Sequence, residues 1–266
     1  MPAGRRYDAL PPILETTVQI NPPFGYSEVV PLYKNQKVRV PAPGALPEFC
    51  RKVNAVPVTY SEFAAACRDY PLTFITTNEG KSFTPVAVLG VAGGENLFVR
   101  DAKWDESVYL PAYVRRYPFC MARVTPTTAK EADRLICVEK AFVSELGDPM
   151  FDDSGAALPR WQPIENLLRE YEADLERSRD MCAILADYDL LEPFTVQAVL
   201  KDGIPMNLAG MHRIEEKKLE FLNAAQHKNL FRKGIMGRIY AHLISLENFS
   251  RLLRRKNDAA AAGERF

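Results

Sequence analysis

The chain has 266 residues, 47% of them hydrophobic and 26% charged, and its 34 Lys and Arg equal its 34 Asp and Glu. That balance describes a globular protein large enough to bury a core without staples. Zero net charge argues against general nucleic-acid binding, which draws its affinity from neutralised phosphates.

Residues 1–15 contain Arg5 and Arg6 but no apolar run behind them, because Asp8, Pro11, Pro12 and Glu15 interrupt it. No signal peptide is expected. The longest strongly apolar stretch, residues 86–92, is far short of the roughly 20 residues of a membrane helix. A soluble, cytoplasmic protein with no membrane insertion is the expectation. The first 54 residues hold eight prolines from Pro11 to Pro47. Proline fixes φ and removes a donor, so this segment reads as an extended arm with short edge strands.

Residues 55–256 read as a single domain. Ser61 is placed to cap a short helix over residues 62–69. Residues 72–77 are β-branched and aromatic, and residues 85–92 and 96–100 flank Gly93-Gly94 as an expected hairpin. Pro111 opens a short helix over residues 110–117, and Pro118 closes it. Residues 119–125 and 135–139 read as strands.

The clearest helix spans residues 163–186. Ile164, Leu168, Tyr171, Leu175, Cys182 and Leu185 fall on one stripe, with Ser178 its only gap. Asp202-Gly203 joins strands 195–201 and 204–214 as a second hairpin. Helices are expected over residues 215–225 and 235–254, the second burying Ile239, Leu243, Leu246, Phe249 and Leu253. Arg251, Arg254, Arg255 and Lys256 would then complement its C-terminal dipole. Residues 257–266 read as a frayed tail. The fold class is α+β: a mostly antiparallel sheet built from hairpins, with a C-terminal group of amphipathic helices.

Charge is unevenly spread. Residues 131–192 carry 16 acidic against 6 basic side chains, and residues 213–256 carry 4 against 11. Either the two segments attract each other or one faces a charged partner.

Familiar catalytic patterns are missing. Cys50, Cys67, Cys120, Cys137 and Cys182 are widely spaced and odd in number, so free thiols are expected rather than a disulfide framework or zinc knuckle. His212, His227 and His242 lie 15 residues apart with no paired ligand motif, so no metal site is expected. There is no G-x-S-x-G elbow and no phosphate loop. Gly90, Gly93 and Gly94 do not form a nucleotide fingerprint, and Asp148, Asp152, Asp153 and Gly155 lack calcium-loop spacing. No cofactor is expected.

One cluster remains. Trp104, Tyr109, Tyr113, Arg115, Arg116 and Tyr117 crowd aromatic rings against two arginines. Such sets are enriched at binding surfaces, and they also occur as core aromatics with stacked arginines. Three readings stay open: a non-enzymatic binding protein using this groove; an enzyme holding an anionic substrate there, with Glu139 or Asp152 as base; and a self-assembling surface component.

Several segments together resemble the SapC family of bacterial proteins. They are Tyr70-Pro71-Leu72, Val88-Leu89-Gly90, Glu95-Asn96-Leu97-Phe98, Leu190-Leu191-Glu192-Pro193, Leu208-Ala209-Gly210-Met211 and Ile239-Tyr240-Ala241-His242. The most specific is Tyr109-Leu110-Pro111-Ala112-Tyr113-Val114-Arg115-Arg116-Tyr117-Pro118-Phe119. The resemblance covers about residues 55–255. It implies a link to surface-layer loci and a cell-envelope setting, with an envelope protein or a modifying enzyme as partner. It brings no catalytic residues with it. Glycine- and aspartate-rich export repeats are not visible, which favours a cytoplasmic accessory role over an exported array.

Overall fold

The computed structural model describes residues 20–42, 44–76, 78, 80–124, 133–199, 203 and 205–261. In chain order the strands are β1 (Val29–Pro31), β2 (Lys37–Val38), β3 (Ala55–Pro57), β4 (Leu72–Ile75), β5 (Thr84–Val88), β6 (Val99–Arg100), β7 (Lys103–Trp104), β8 (Phe119–Val124), β9 (Asp133–Glu139), β10 (Asp148–Pro149), β11 (Leu191–Val199) and β12 (Pro205–Ile214). The helices are α1 (Phe63–Ala66), α2 (Ala112–Arg115), α3 (Trp161–Asp187), α4 (Ala224–Arg232), α5 (Ile235–Ser245) and α6 (Asn248–Ala261).

A five-stranded sheet runs β11-β12-β4-β5-β3 and a three-stranded sheet runs β1-β9-β8; every pairing is antiparallel. The fold is α+β, with its last three helices C-terminal to the strands. The arm supplies β1 at the edge of the smaller sheet, and β2 pairs with β10.

The 27 residues of α3 tie the two sheets together. Its first half sends Trp161 and Leu168 into a core with Phe119, Val138 and Met150. Its second half sends Met181, Cys182 and Leu185 into the main core with Phe63, Tyr70, Phe74 and Leu89. Ser178, the gap in the stripe, is buried for a reason. Its hydroxyl accepts from Tyr60 N at 2.8 Å and donates to Asp174 O at 2.8 Å, so the polar position receives a backbone group that would otherwise lack a partner.

The acidic and basic halves meet through Arg213–Glu192 (2.8 Å), Lys218–Asp189 (2.9 Å) and Lys233–Asp180 (3.9 Å). None of the described helices is long and apolar enough to cross a membrane.

Several expectations are corrected. Thr59, not Ser61, opens the first helical turn: Glu62 Oε2 accepts from Thr59 N (2.7 Å) and Thr59 Oγ1 (2.8 Å), a capping box two residues earlier than expected. Gly93-Gly94 does not join a hairpin, because β5 pairs with β3 and β4 instead. The glycines belong to a loop organised by Glu95, whose Oε1 accepts from Val91 N (2.9 Å) and Ala92 N (3.1 Å).

Residues 216–221 form a 3-10 turn, and the next helix starts at Ala224, capped by a reciprocal Asn223–Gln226 pair. The expected helix over 235–254 is two helices. The break falls where Asn248 Nδ2 donates to the carbonyls of Cys67 (2.8 Å) and Tyr70 (3.1 Å). Because α6 runs on to Ala261, Arg255 and Lys256 lie within it and reach Asp105 (2.8 Å) and Glu95. The second hairpin is formed by β11 and β12, with a bulge between Phe194 and Val196; Asp202 lies outside the described residues.

Candidate functional site

Among the described residues lies a cleft of about 790 Å³. One wall is made by arm residues 40–42 and 44–47, including Leu46 and Pro47. The opposite wall is β7 and the stretch through α2, with Trp104, Val108, Leu110, Val114, Arg115 and Arg116. Tyr117 and Phe119 follow, and Ile164 and Leu167 of α3 close the floor.

The β6–β7 hairpin shapes the lip. Asp101 (φ 48) and Ala102 (φ 60) both adopt left-handed backbone, the geometry of a two-residue turn that suits twisted strands. The lip acids Asp101 and Glu106 and the cations Lys103 and Arg115 face solvent, while Asp105 is paired to Arg255 at 2.8 Å.

Of the six residues singled out in the sequence, Trp104, Arg115, Arg116 and Tyr117 line this cleft, and Tyr109 and Tyr113 stand outside the lining. Trp104 is anchored by donating Nε1 to Tyr70 Oη (3.0 Å). Tyr109 is a brace. Its hydroxyl donates to Glu62 Oε1 (3.0 Å) and accepts from Arg115 Nη2 (3.1 Å), its N–H donates to Asp69 Oδ2 (2.9 Å), and its carbonyl accepts from Tyr70 Oη. Burial and the Glu62 carboxylate push the Tyr109 phenol up to about 12, against the opposing charge of Arg115. Tyr113 donates its hydroxyl to Phe24 O (2.6 Å), tying α2 to the arm. Tyr117 packs edge-on to Phe49 and Phe142, with ring centroids 5.9 and 5.3 Å away.

The two arginines differ sharply. Arg115 is exposed and spends Nε on Leu110 O (3.1 Å) and Nη2 on Tyr109. Arg116 is only 5% exposed, and it is the one buried charged residue among those lining the cleft. Its guanidinium carbon lies 4.4 Å from the ring centroids of both Tyr113 and Tyr171 and 5.8 Å from that of Tyr26. Its Nε has no hydrogen-bond acceptor, and no described carboxylate lies within ion-pair distance. The cage residues Tyr26 and Tyr171 come from the arm and from α3. Tyr171 was visible only as a stripe position, and nothing marked Tyr26.

Neither carboxylate considered as a base lines the cleft. Glu139 accepts from Ser27 N (3.0 Å) and Glu28 N (3.1 Å), holding the arm to β9. Asp152 organises its own turn, accepting from Ser154 N (2.9 Å), Ser154 Oγ (2.7 Å) and Ala156 N (2.9 Å); these bonds hold its carboxyl below the usual range. Burial pushes the thiols of Cys50, Cys120 and Cys182 up to about 12 and that of Cys137 to about 11, which suits packing more than nucleophilic attack.

His242 is fully buried. His212 packs its ring 5.0 Å from Phe83. Among the described residues, no group of three His, Cys, Asp or Glu is placed to hold a metal ion.

An α+β scaffold around one largely apolar cleft, with a caged arginine in its wall, is the class of protein these features define. The chain belongs to the SapC family, whose profile matches residues 34–252. That match begins within the proline-rich arm, so it takes in both walls of the cleft. No curated protein and no solved structure matches the chain.

Proposed function

We propose that this SapC-family chain is a non-enzymatic binding protein that holds a small, largely apolar ligand in the cleft between the arm and α2. The observation that carries this reading is the cleft itself. Its volume of about 790 Å³ falls within the range of small-molecule sites. Its walls are mostly aliphatic and aromatic, with a few charged groups among them, the composition that such sites share.

The cell-envelope setting and the protein partner implied by the SapC resemblance belong to the same proposal. An envelope protein or a modifying enzyme would supply or receive the ligand. The chain would act as an accessory to it rather than as a catalyst.

A neutral solvent-sensitive dye, Nile red, tests the cleft without involving charge. One equivalent should bind with a blue-shifted emission. Leu167→Trp, which fills the floor, should abolish that binding while leaving the far-ultraviolet circular dichroism unchanged. Undiminished dye binding to a folded Leu167→Trp protein would count against the cleft as the site.

A further inference from the structure

We infer that Arg116 is the seat for an oxyanion head on that ligand, so that the cleft takes an amphiphile with an apolar chain and a terminal carboxylate or phosphate. This rests on the binding reading above and adds the chemical class of the ligand.

A guanidinium stays charged at any physiological pH and presents five N–H donors in a planar fork. Arg116 is 5% exposed, yet no described carboxylate neutralises it and its Nε donates to nothing. The rings of Tyr113 and Tyr171, each 4.4 Å from the guanidinium carbon, compensate part of the charge through their π faces. Aromatic faces do not replace an in-plane acceptor. A buried cation left in this state is costly, and the group that completes it is a planar or tetrahedral oxyanion able to accept two parallel N–H bonds.

The remaining charges of the cleft do not offer such a seat. Lys103 and Arg115 are exposed, and Arg115 already donates to Leu110 O and the Tyr109 hydroxyl. The acids Asp101 and Glu106 are exposed at the lip, where water and salt screen them. Arg116 alone combines charge, burial and an unused donor, and the apolar lining from Leu46 to Leu167 would receive the chain.

The test is displacement of Nile red from the full chain by four ten-carbon amphiphiles: decanoate, decyl phosphate, decanol and decyltrimethylammonium. At least one anion should displace the dye at a concentration about tenfold or more below that needed for decanol, with the cation weakest. Which anion is stronger tells a carboxylate ligand from a phosphate one. In Arg116→Met the preference for anion over alcohol should fall to about one. Arg116→Lys keeps the charge without the fork and should retain only part of the preference.

Equal displacement by anion and alcohol from the wild-type protein would overturn the seat and leave the binding cleft standing. A full anion preference in a folded Arg116→Met protein would do the same. If Nile red and all four amphiphiles fail to bind, the cleft reading falls and takes the seat with it. Should neither variant fold, the wild-type melting temperature decides. A rise with decanoate or decyl phosphate, where decanol at equal concentration gives none, supports the seat; equal shifts overturn it.

Discussion

The buried imidazole of His242 donates from Nδ1 to the carbonyl of Leu72 at 2.8 Å. Its tautomer follows from the other side of the ring, where Nε2 accepts from Ile214 N at 3.0 Å. One turn on, Ser245 Oγ accepts from Leu72 N at 2.9 Å. Helix α5 therefore satisfies both backbone groups of Leu72 on β4 and caps the end of β12, where the sheet ladder between those two strands is short. The sequence Ile239-Tyr240-Ala241-His242 is thereby a sheet-to-helix rivet.

This rivet predicts an acid-sensitive fold. Burial holds His242 down at about 4; the Leu72 carbonyl opposes that shift and the charge of Arg213 adds to it. The unfolded chain, with histidine near its usual value of about 6.5, takes up a proton that the folded chain refuses until about pH 4. The contribution is complete above pH 6.5 and is lost as pH falls from there toward 4, at up to ~1.4 kcal/mol per unit and about 3 kcal/mol in all. Urea unfolding of wild type and His242→Gln should show a stability gap at pH 7.5 that narrows by about that amount near pH 4. A gap independent of pH would rule out this linkage.

Gly90 is predicted to tolerate no side chain. A Cβ there would lie 2.2 Å from Glu95 O and 2.9 Å from Glu95 Cγ. Glu95 cannot retreat cheaply, since it holds Val91 N, Ala92 N and the ammonium of Lys256. Gly90→Ala should cost about 3 kcal/mol or more in urea unfolding. Gly93→Ala is the control: a Cβ at that position meets nothing within 4 Å, and its cost should stay within about 0.5 kcal/mol.

At the cleft lip the expected change is a gain. Ala102 holds φ 60, where a Cβ crowds the following carbonyl. Glycine relieves this but adds freedom to the unfolded chain. The balance should leave Ala102→Gly more stable by about 0.5 kcal/mol, a rise of one to two degrees in melting temperature, roughly, for a chain this long. Ala102→Val should move it the other way, because β-branching disfavours left-handed backbone. A fall with glycine would mean that the turn is not strained.

The β6–β7 hairpin also shows why part of the fold was hidden. Asp101-Ala102 carries neither glycine nor asparagine, the usual sign of such a turn. Gly93-Gly94 carries the sign but serves a loop built around a carboxylate. Periodicity made α3 legible end to end, and the strands around Asp202-Gly203 were legible for the same local reason. The break between α5 and α6 was not, because the apolar rhythm of Ile239, Leu243, Leu246 and Phe249 runs straight through it. What interrupts it is Asn248 held by the Cys67 and Tyr70 carbonyls, a contact between segments some 180 residues apart. The cleft follows the same division. Its aromatic and arginine stretch stood out in the sequence, whereas the caging of Arg116 depends on Tyr26 and Tyr171, which only the tertiary fold brings together.

The carboxylate that steadies this stretch gives the last prediction. Glu62 is 5% exposed and accepts four hydrogen bonds: Oε2 takes Thr59 N and Thr59 Oγ1, and Oε1 takes the Tyr109 hydroxyl (3.0 Å) and Ala112 N (2.7 Å). All four partners donate. Glu62→Gln keeps the shape but turns one oxygen into an NH₂ group, and either placement sets donor against donor. The loss of two buried bonds to the carboxyl group should cost about 2–4 kcal/mol, lowering the melting temperature by roughly 4–16 degrees. Ala112 N is the first N–H of α2, the helix that ends in Arg115 and leads directly into Arg116, so the damage should reach the cleft. Faster amide exchange across residues 109–117 and weaker Nile red binding are expected together in Glu62→Gln. Glu62→Gln protein that melts like wild type would show that these four bonds contribute little, and that α2 is held by the packing of Tyr113 and Val114 alone.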